Sequence, residues 1–217
     1  MRASFREQLD GLRGSLVVMG ADVTSAMRWA TASLLEGDLS AASTTLEVAD
    51  SLRCRREEVE ETVVQLLVRQ QPVASDLRLA LASLHVAADF ERMGALAEHV
   101  AKIMLMRHPV NAVPPEVAQV ARRMADVAER LAWKVTGVLE TGDAALAAQL
   151  ESDDDEMDEL HRQTFEVLFG NWQHEVRAAV DAALLARFYE RYADHAVSAA
   201  QQVVYLVTGV APGRQDA

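Results

Sequence analysis

The side chains in this sequence whose spacing could do chemistry are carboxylates. Asp154 and Asp158 stand four apart within the run Glu151-Ser152-Asp153-Asp154-Asp155-Glu156-Met157-Asp158-Glu159, and Glu190 and Asp194 repeat that spacing nearer the C-terminus. Residues four apart on a helix share a face. Two carboxylates about 4 Å apart repel by about 4 kcal/mol at an effective dielectric of roughly 20, so pairs that converge need a cation between them. Arginines could serve, or a hard-ligand metal ion of the kind helical bundles hold on facing Glu and Asp residues. Each pair also has a plainer reading. An acidic run early in a helix opposes the macrodipole and is commonly just solvated. Glu190 and Asp194 could be paired with Arg187 and Arg191 on their own helix.

Other chemistries lack their residues. The sequence has no Walker A loop, no dinucleotide-binding glycine pattern, no Gly-x-Ser-x-Gly elbow and no Cys or His pair at zinc spacing. The histidines, His85, His99, His108, His161, His174 and His195, never stand four apart.

The acids must be held by helices. Phe5, Leu12, Met19 and Ala26 recur every seven residues beside Leu9, Leu16, Val23 and Ala30, which predicts a first helix over 4–36, with Ser4 and Glu7 as a capping box. Gly37-Asp38 interrupts the pattern, Asp38 being a candidate N-cap, and a second stripe from Leu39 to Leu66 runs to about residue 70, before Pro72. Ser75 and Asp76 are candidate caps of a third helix, whose apolar line Val86, Phe90, Met93, Ala97, Val100 and Met104 ends at His108-Pro109. The prolines Pro109, Pro114 and Pro115 mark a linker, after which helices are expected over about 115–141, 143–169 and 172–208, closed by Gly142, Gly170 and Gly209.

The second set of helices repeats the first. Leu34-Leu35-Glu36-Gly37-Asp38 returns as Val138-Leu139-Glu140-Thr141-Gly142-Asp143, Trp29 as Trp133, and Phe90-Glu91-Arg92-Met93-Gly94-Ala95 as Tyr189-Glu190-Arg191-Tyr192-Ala193-Asp194. The expected fold is all-α, two tandem antiparallel three-helix bundles from an internal duplication, with domains at 1–108 and 109–217.

Composition narrows the function classes. With 217 residues, 50% of them hydrophobic, the chain can bury roughly 70% of its unfolded surface and needs no staple. The lone Cys54 permits no internal disulfide. The net charge is −12 and the basic residues are scattered, which removes the counterion-release drive for nucleic-acid binding. A charged opening, Met1-Arg2-Ala3-Ser4-Phe5-Arg6-Glu7, and the lack of an apolar run of roughly 18 residues lead us to expect a soluble cytoplasmic protein.

Three segments resemble the PhoU family of bacterial phosphate-uptake regulators in its actinobacterial form: Gln71-Pro72-Val73-Ala74-Ser75-Asp76-Leu77-Arg78, Asp89-Phe90-Glu91-Arg92-Met93-Gly94 and Tyr189-Glu190-Arg191-Tyr192-Ala193-Asp194-His195. The resemblance runs from Phe5 to Gly209. It implies two three-helix bundles, a cytoplasmic homodimer, and a non-catalytic adaptor between the phosphate-specific ABC transporter's ATPase subunit and a sensor histidine kinase. Such a protein represses the phosphate-starvation response and meets the membrane only through its partners. Several family members carry iron or zinc on repeated Glu/Asp-x-x-x-Asp motifs, so the resemblance gives Asp154, Asp158, Glu190 and Asp194 a role toward iron, zinc or another divalent cation. In the first half the family's acids are replaced by Ala95 and Arg53, leaving Asp50, Asp89 and Glu91 as a weaker set. A helical-bundle carboxylate metalloprotein with redox or hydrolytic activity is the alternative, and the absence of Glu-x-x-His ligand pairs weighs against it.

Overall fold

The computed structural model describes residues 2–209, and the side chains of all of these except 2–5, 144, 148, 151 and 207. Six helices account for nearly all of them: α1 Arg2–Glu36, α2 Leu39–Gln70, α3 Ser75–Arg107, α4 Pro115–Thr141, α5 Ala144–Phe169 and α6 Val176–Thr208. The α1/α2 and α4/α5 corners are built alike. Gly37 and Gly142 take left-handed φ values of 70° and 68°, which a side chain would strain. The next residue then caps the following helix. Asp38 accepts the Ser40 and Ala41 N–H groups at 2.8 and 3.2 Å, and Asp143 accepts those of Ala145 and Leu146 at 2.8 and 3.4 Å. Pro115 opens α4 at the first helical position, where its missing N–H costs nothing.

Three expected helix starts differ. α3 is preceded by Ala74 at φ 48° without a side-chain cap, so Ser75 and Asp76 lie in the first turn, where Asp76 opposes the helix dipole. α6 begins at Val176 and not at 172, because Trp172 is drawn half-buried against the core and packs edge-on to His174, and Glu175 stays extended as N-cap. The helical backbone of α1 already includes Ser4, and the side chain that would form the Ser4/Glu7 capping box lies outside the described residues.

Helices α1, α2 and α3 pack on one another, as do α4, α5 and α6, giving two three-helix bundles. The bundles join through α1 against α4 and α3 against α6. Four helices thus form a central layer, while α2 and α5 are flanks, each touching only two neighbours. The core is continuous across both halves, from Leu12, Met19, Phe90 and Met93 to Leu131, Leu150, Tyr189 and Tyr192. Gly20 lets α1 approach α4, since a Cβ there would meet Thr136 Oγ1 at 2.4 Å. Two buried tyrosines bolt α6 across the layer to α1: the Tyr189 hydroxyl shares a 2.7 Å hydrogen bond with Thr31 Oγ1, and Tyr192 donates to the Val23 carbonyl at 3.0 Å. Among the described residues no helix is long and apolar enough to cross a membrane.

Candidate carboxylate site between α5 and α6

The acidic run lies in the middle of α5, not at its start, because the helix begins at Ala144. The dipole acts within about one turn of a helix end and so does not explain the run. Asp153 instead turns toward α4, where Lys134 Nζ stands at 2.7 Å and Arg130 Nε at 3.5 Å, and Glu156 also pairs with Arg130. Asp154 lies within electrostatic reach of Asp158, one turn on along α5, and of Glu190 and Asp194 on α6.

The structure brings these four acids together as an electrostatic group. Partial burial and the charges of Asp194, Asp158, Glu190 and Asp155 push the Asp154 carboxyl up from 3.8 to about 6. Burial also raises Glu190, as does Asp194, against the opposing pull of Arg187 and His161. Arg187 is the direct ion-pair partner of Glu190. Among the described residues no ion pair joins Arg191 to Asp194, so the pairing expected within α6 is met at one of its two acids.

Hard oxygen donors in this number suit a divalent cation, which would relieve the mutual repulsion that adds to burial in lifting Asp154. The side chains do not, however, close on one point. Among the described residues no group of three or more His, Cys, Asp or Glu is disposed to hold a metal ion. Asp154, Asp158, Glu190 and Asp194 would have to swing inward by rotamer changes, with Glu190 leaving Arg187.

The charge of the site has a measurable consequence without any ion. A carboxyl raised on folding binds its proton more tightly in the native state, so stability falls as pH rises through the interval between 3.8 and about 6. The full rise would correspond to about 3 kcal/mol, and with half of Asp154 open to water we expect about 1 kcal/mol. In the presence of chelator, urea unfolding should therefore show higher stability at pH 5 than at pH 7, and Asp154→Asn should remove most of the difference. A wild type and variant with parallel pH profiles would show that the acids do not strain the fold.

The first half is wired differently. Aligning the N-caps Asp38 and Asp143 sets Ala49 and Arg53 where the second half has Asp154 and Asp158. With Ala95 at the place of Asp194, Glu91 alone keeps its acid. Arg53 pairs with Asp50, reaches Glu98 at 3.6 Å and feels the charge of Glu91, so an internal guanidinium occupies this region. Asp89 is not part of it: its carboxylate meets His195 Nδ1 at 2.9 Å across the α3/α6 contact. Sequence reasoning missed that inter-half pair, for which the adjacency of His195 to Asp194 is the available hint.

Comparison with known proteins follows the same outline. The PhoU domain model matches residues 16–104 and again 121–203. A phosphate-specific transport system accessory protein, PhoU homolog 2 of Mycobacterium tuberculosis, is 43% identical over 213 residues, covering 98% of this chain and all of the relative. PhoU homolog 1 of Mycobacterium leprae is 42% identical over 98% of the chain and 96% of the relative. Among solved structures, PhoU from Pseudomonas aeruginosa superposes with a TM-score of 0.87 at 25% identity, over 95% of this chain and 100% of that one.

Proposed function

This chain belongs to the PhoU family, and on that premise we propose that it is a cytoplasmic accessory protein of phosphate-specific transport that represses the phosphate-starvation response when phosphate is abundant. It works by protein contact and not by catalysis, linking the ATPase subunit of the phosphate ABC transporter to a sensor histidine kinase. The observation that supports the reading is the match of the family model in both halves together with near full-length identity to relatives named as accessory proteins of that transport system. A rigid, continuous core with its charge displayed on the surface suits a scaffold.

The acids at the α5/α6 contact fit this reading as a regulatory cation site in the second half alone. When bound, iron, zinc or another divalent cation would supply charge neutralisation, and the residues to hold it are Asp154, Asp158, Glu190 and Asp194. The first half, with Arg53 in place, keeps Asp50 and Glu91 neutralised without an ion.

Deletion of the gene should switch on phosphate-scavenging genes in phosphate-rich medium, read with a starvation-responsive reporter and restored by the gene in trans. Reporter output that stays low in a strain lacking every copy of the protein would refute the proposal.

A further inference from the structure

The outer faces of α3 and α6 form a groove whose charge is unlike that of the rest of the molecule. The helices run antiparallel there, in a register fixed by Asp89 against His195, His99 stacked on Phe188 with ring centroids 5.2 Å apart, and Arg107 paired with Asp181. Ile103, Met106, Leu184 and Phe188 line an apolar trough of about 430 Å³. Met106 is 65% exposed, Leu184 43%, and Val180, one turn before Leu184, 52%, which is far more apolar surface than a helix needs to leave open.

Around this trough exposed basic side chains gather. His85, Arg92, His99 and Lys102 follow one stripe of α3, and Arg187 and Arg191 stand on α6. Three of them have a carboxylate neighbour on their own helix: Arg92 with Glu91 at 3.9 Å, Lys102 with Glu98 at 2.7 Å, and Arg187 with Glu190. In each pair the cation is on top. The basic side chains are 65%, 46% and 53% exposed, the acids 18%, 15% and 14%. Asp194, the exposed acid of α6, stands one turn beyond Arg191, and its charge bears on Asp154 of α5. Solvent in front of the trough, at Lys102 and Arg187, therefore meets positive charge on a protein whose net charge is −12. Much of that negative charge is elsewhere, on α5, with eight acids against the single Arg162.

We propose that the α3/α6 face docks an acidic amphipathic helix of a protein partner, laying its apolar stripe along Met106, Leu184 and Phe188 and its carboxylates against Lys102, Arg187 and Arg191. This deepens the partner-binding reading above and rests on it. An amphipathic helix in a groove between two helices is a common mode of recognition, and charge complementarity sets its orientation and on-rate. A second copy of this chain fits poorly. A symmetric contact would lay the basic patch of one molecule over the basic patch of the other, and the acidic α5 of another molecule would make a head-to-tail contact that does not close in a dimer.

The test uses two fluorescent peptides of about 20 residues with leucines at helical i, i+4, i+7 spacing, one with glutamate and one with glutamine on the remaining face. Despite the protein's negative charge, the glutamate peptide should bind at least about tenfold more tightly than the glutamine peptide, and less tightly as salt rises. The double variant Lys102→Glu/Arg191→Glu should abolish that preference, Lys102→Gln/Arg191→Gln should reduce it, and Arg122→Glu on the exposed face of α4 should keep it, circular dichroism reporting that each is folded. A glutamate peptide that binds no better than its glutamine counterpart, or equally well to the reversed face, overturns the proposal. So does a wild-type dimer that the double variant splits in sedimentation, which would make a second copy the occupant. Capture of the transporter ATPase by the wild type and not by the double variant supports the face as the partner's site. A wild type that binds the peptide but captures neither ATPase nor kinase refutes the partner assignment and leaves the face standing.

Discussion

Truncating Tyr192 to alanine is expected to lower the free energy of unfolding by about 4 kcal/mol and the midpoint of thermal unfolding by about 12 °C. The ring is fully buried in α6, and its hydroxyl ends on the Val23 carbonyl of α1, so the change empties a large volume at the meeting of the two halves and removes a hydrogen bond across it. Burial holds the phenol well above its ordinary range, so it remains a neutral donor at any pH the fold survives. Tyr192→Phe keeps the volume and should cost only about 1 kcal/mol. Urea titration of the three proteins gives the comparison. A cost below about 1 kcal/mol for the alanine variant would mean that Tyr192 does not bridge α6 to α1 through a filled core.

The second large effect concerns the cation. Protein purified without chelator should contain a divalent metal, and Asp158→Ala or Asp194→Ala should each reduce affinity at least about tenfold, whereas Glu91→Ala should leave the content largely unchanged. The asymmetry follows from charge. In the second half burial, and then the charges of its neighbours, lift Asp154 to about 6, and Arg187 answers Glu190 alone. In the first half Ala49, Arg53 and Ala95 stand at the corresponding places, and a guanidinium at Arg53 repels any ion that Glu91 could attract. Arg53→Glu should not create a second site, because Ala49 and Ala95 still lack oxygen donors. Equal loss from Glu91→Ala and Asp194→Ala would show that both halves bind, and a metal-free wild type with intact regulation would leave the acids as partners of arginine and lysine.

Much of this architecture was legible in the residues. Seven-residue apolar spacing, Gly-Asp corners and the prolines after residue 108 place all six helices, because each is a local signal: a cap, a left-handed glycine or a missing N–H. The start of α6 was not, since what holds 172–175 out of the helix is the tertiary burial of Trp172. The acidic run was legible as a group but not in its division. The expected start at 143 already sets it mid-helix, but the rotation of α5 between its neighbours decides that Asp153 turns to Lys134 while Asp154 meets the charges of α6. The family resemblance puts Asp89 and Glu91 in one set, yet two positions along a helix differ by about 200°, and the pair faces opposite ways. The cationic face was invisible in a count of charges, because it depends on which member of each ion pair lies underneath.

The flanking position of α5 bears on how the protein comes apart. Local opening starts where an element has the fewest neighbours, and α5 leans on α4 and α6 alone while its own carboxylates press against one another. The helix with the least support thus carries the greatest internal repulsion. That makes loosening of this flank, with the four-helix layer shut, the expected first opening of the fold. An ion that gathered acids from α5 and α6 would act as a clasp on that opening, converting occupancy into closure of one flank without any change in the relation of the two halves.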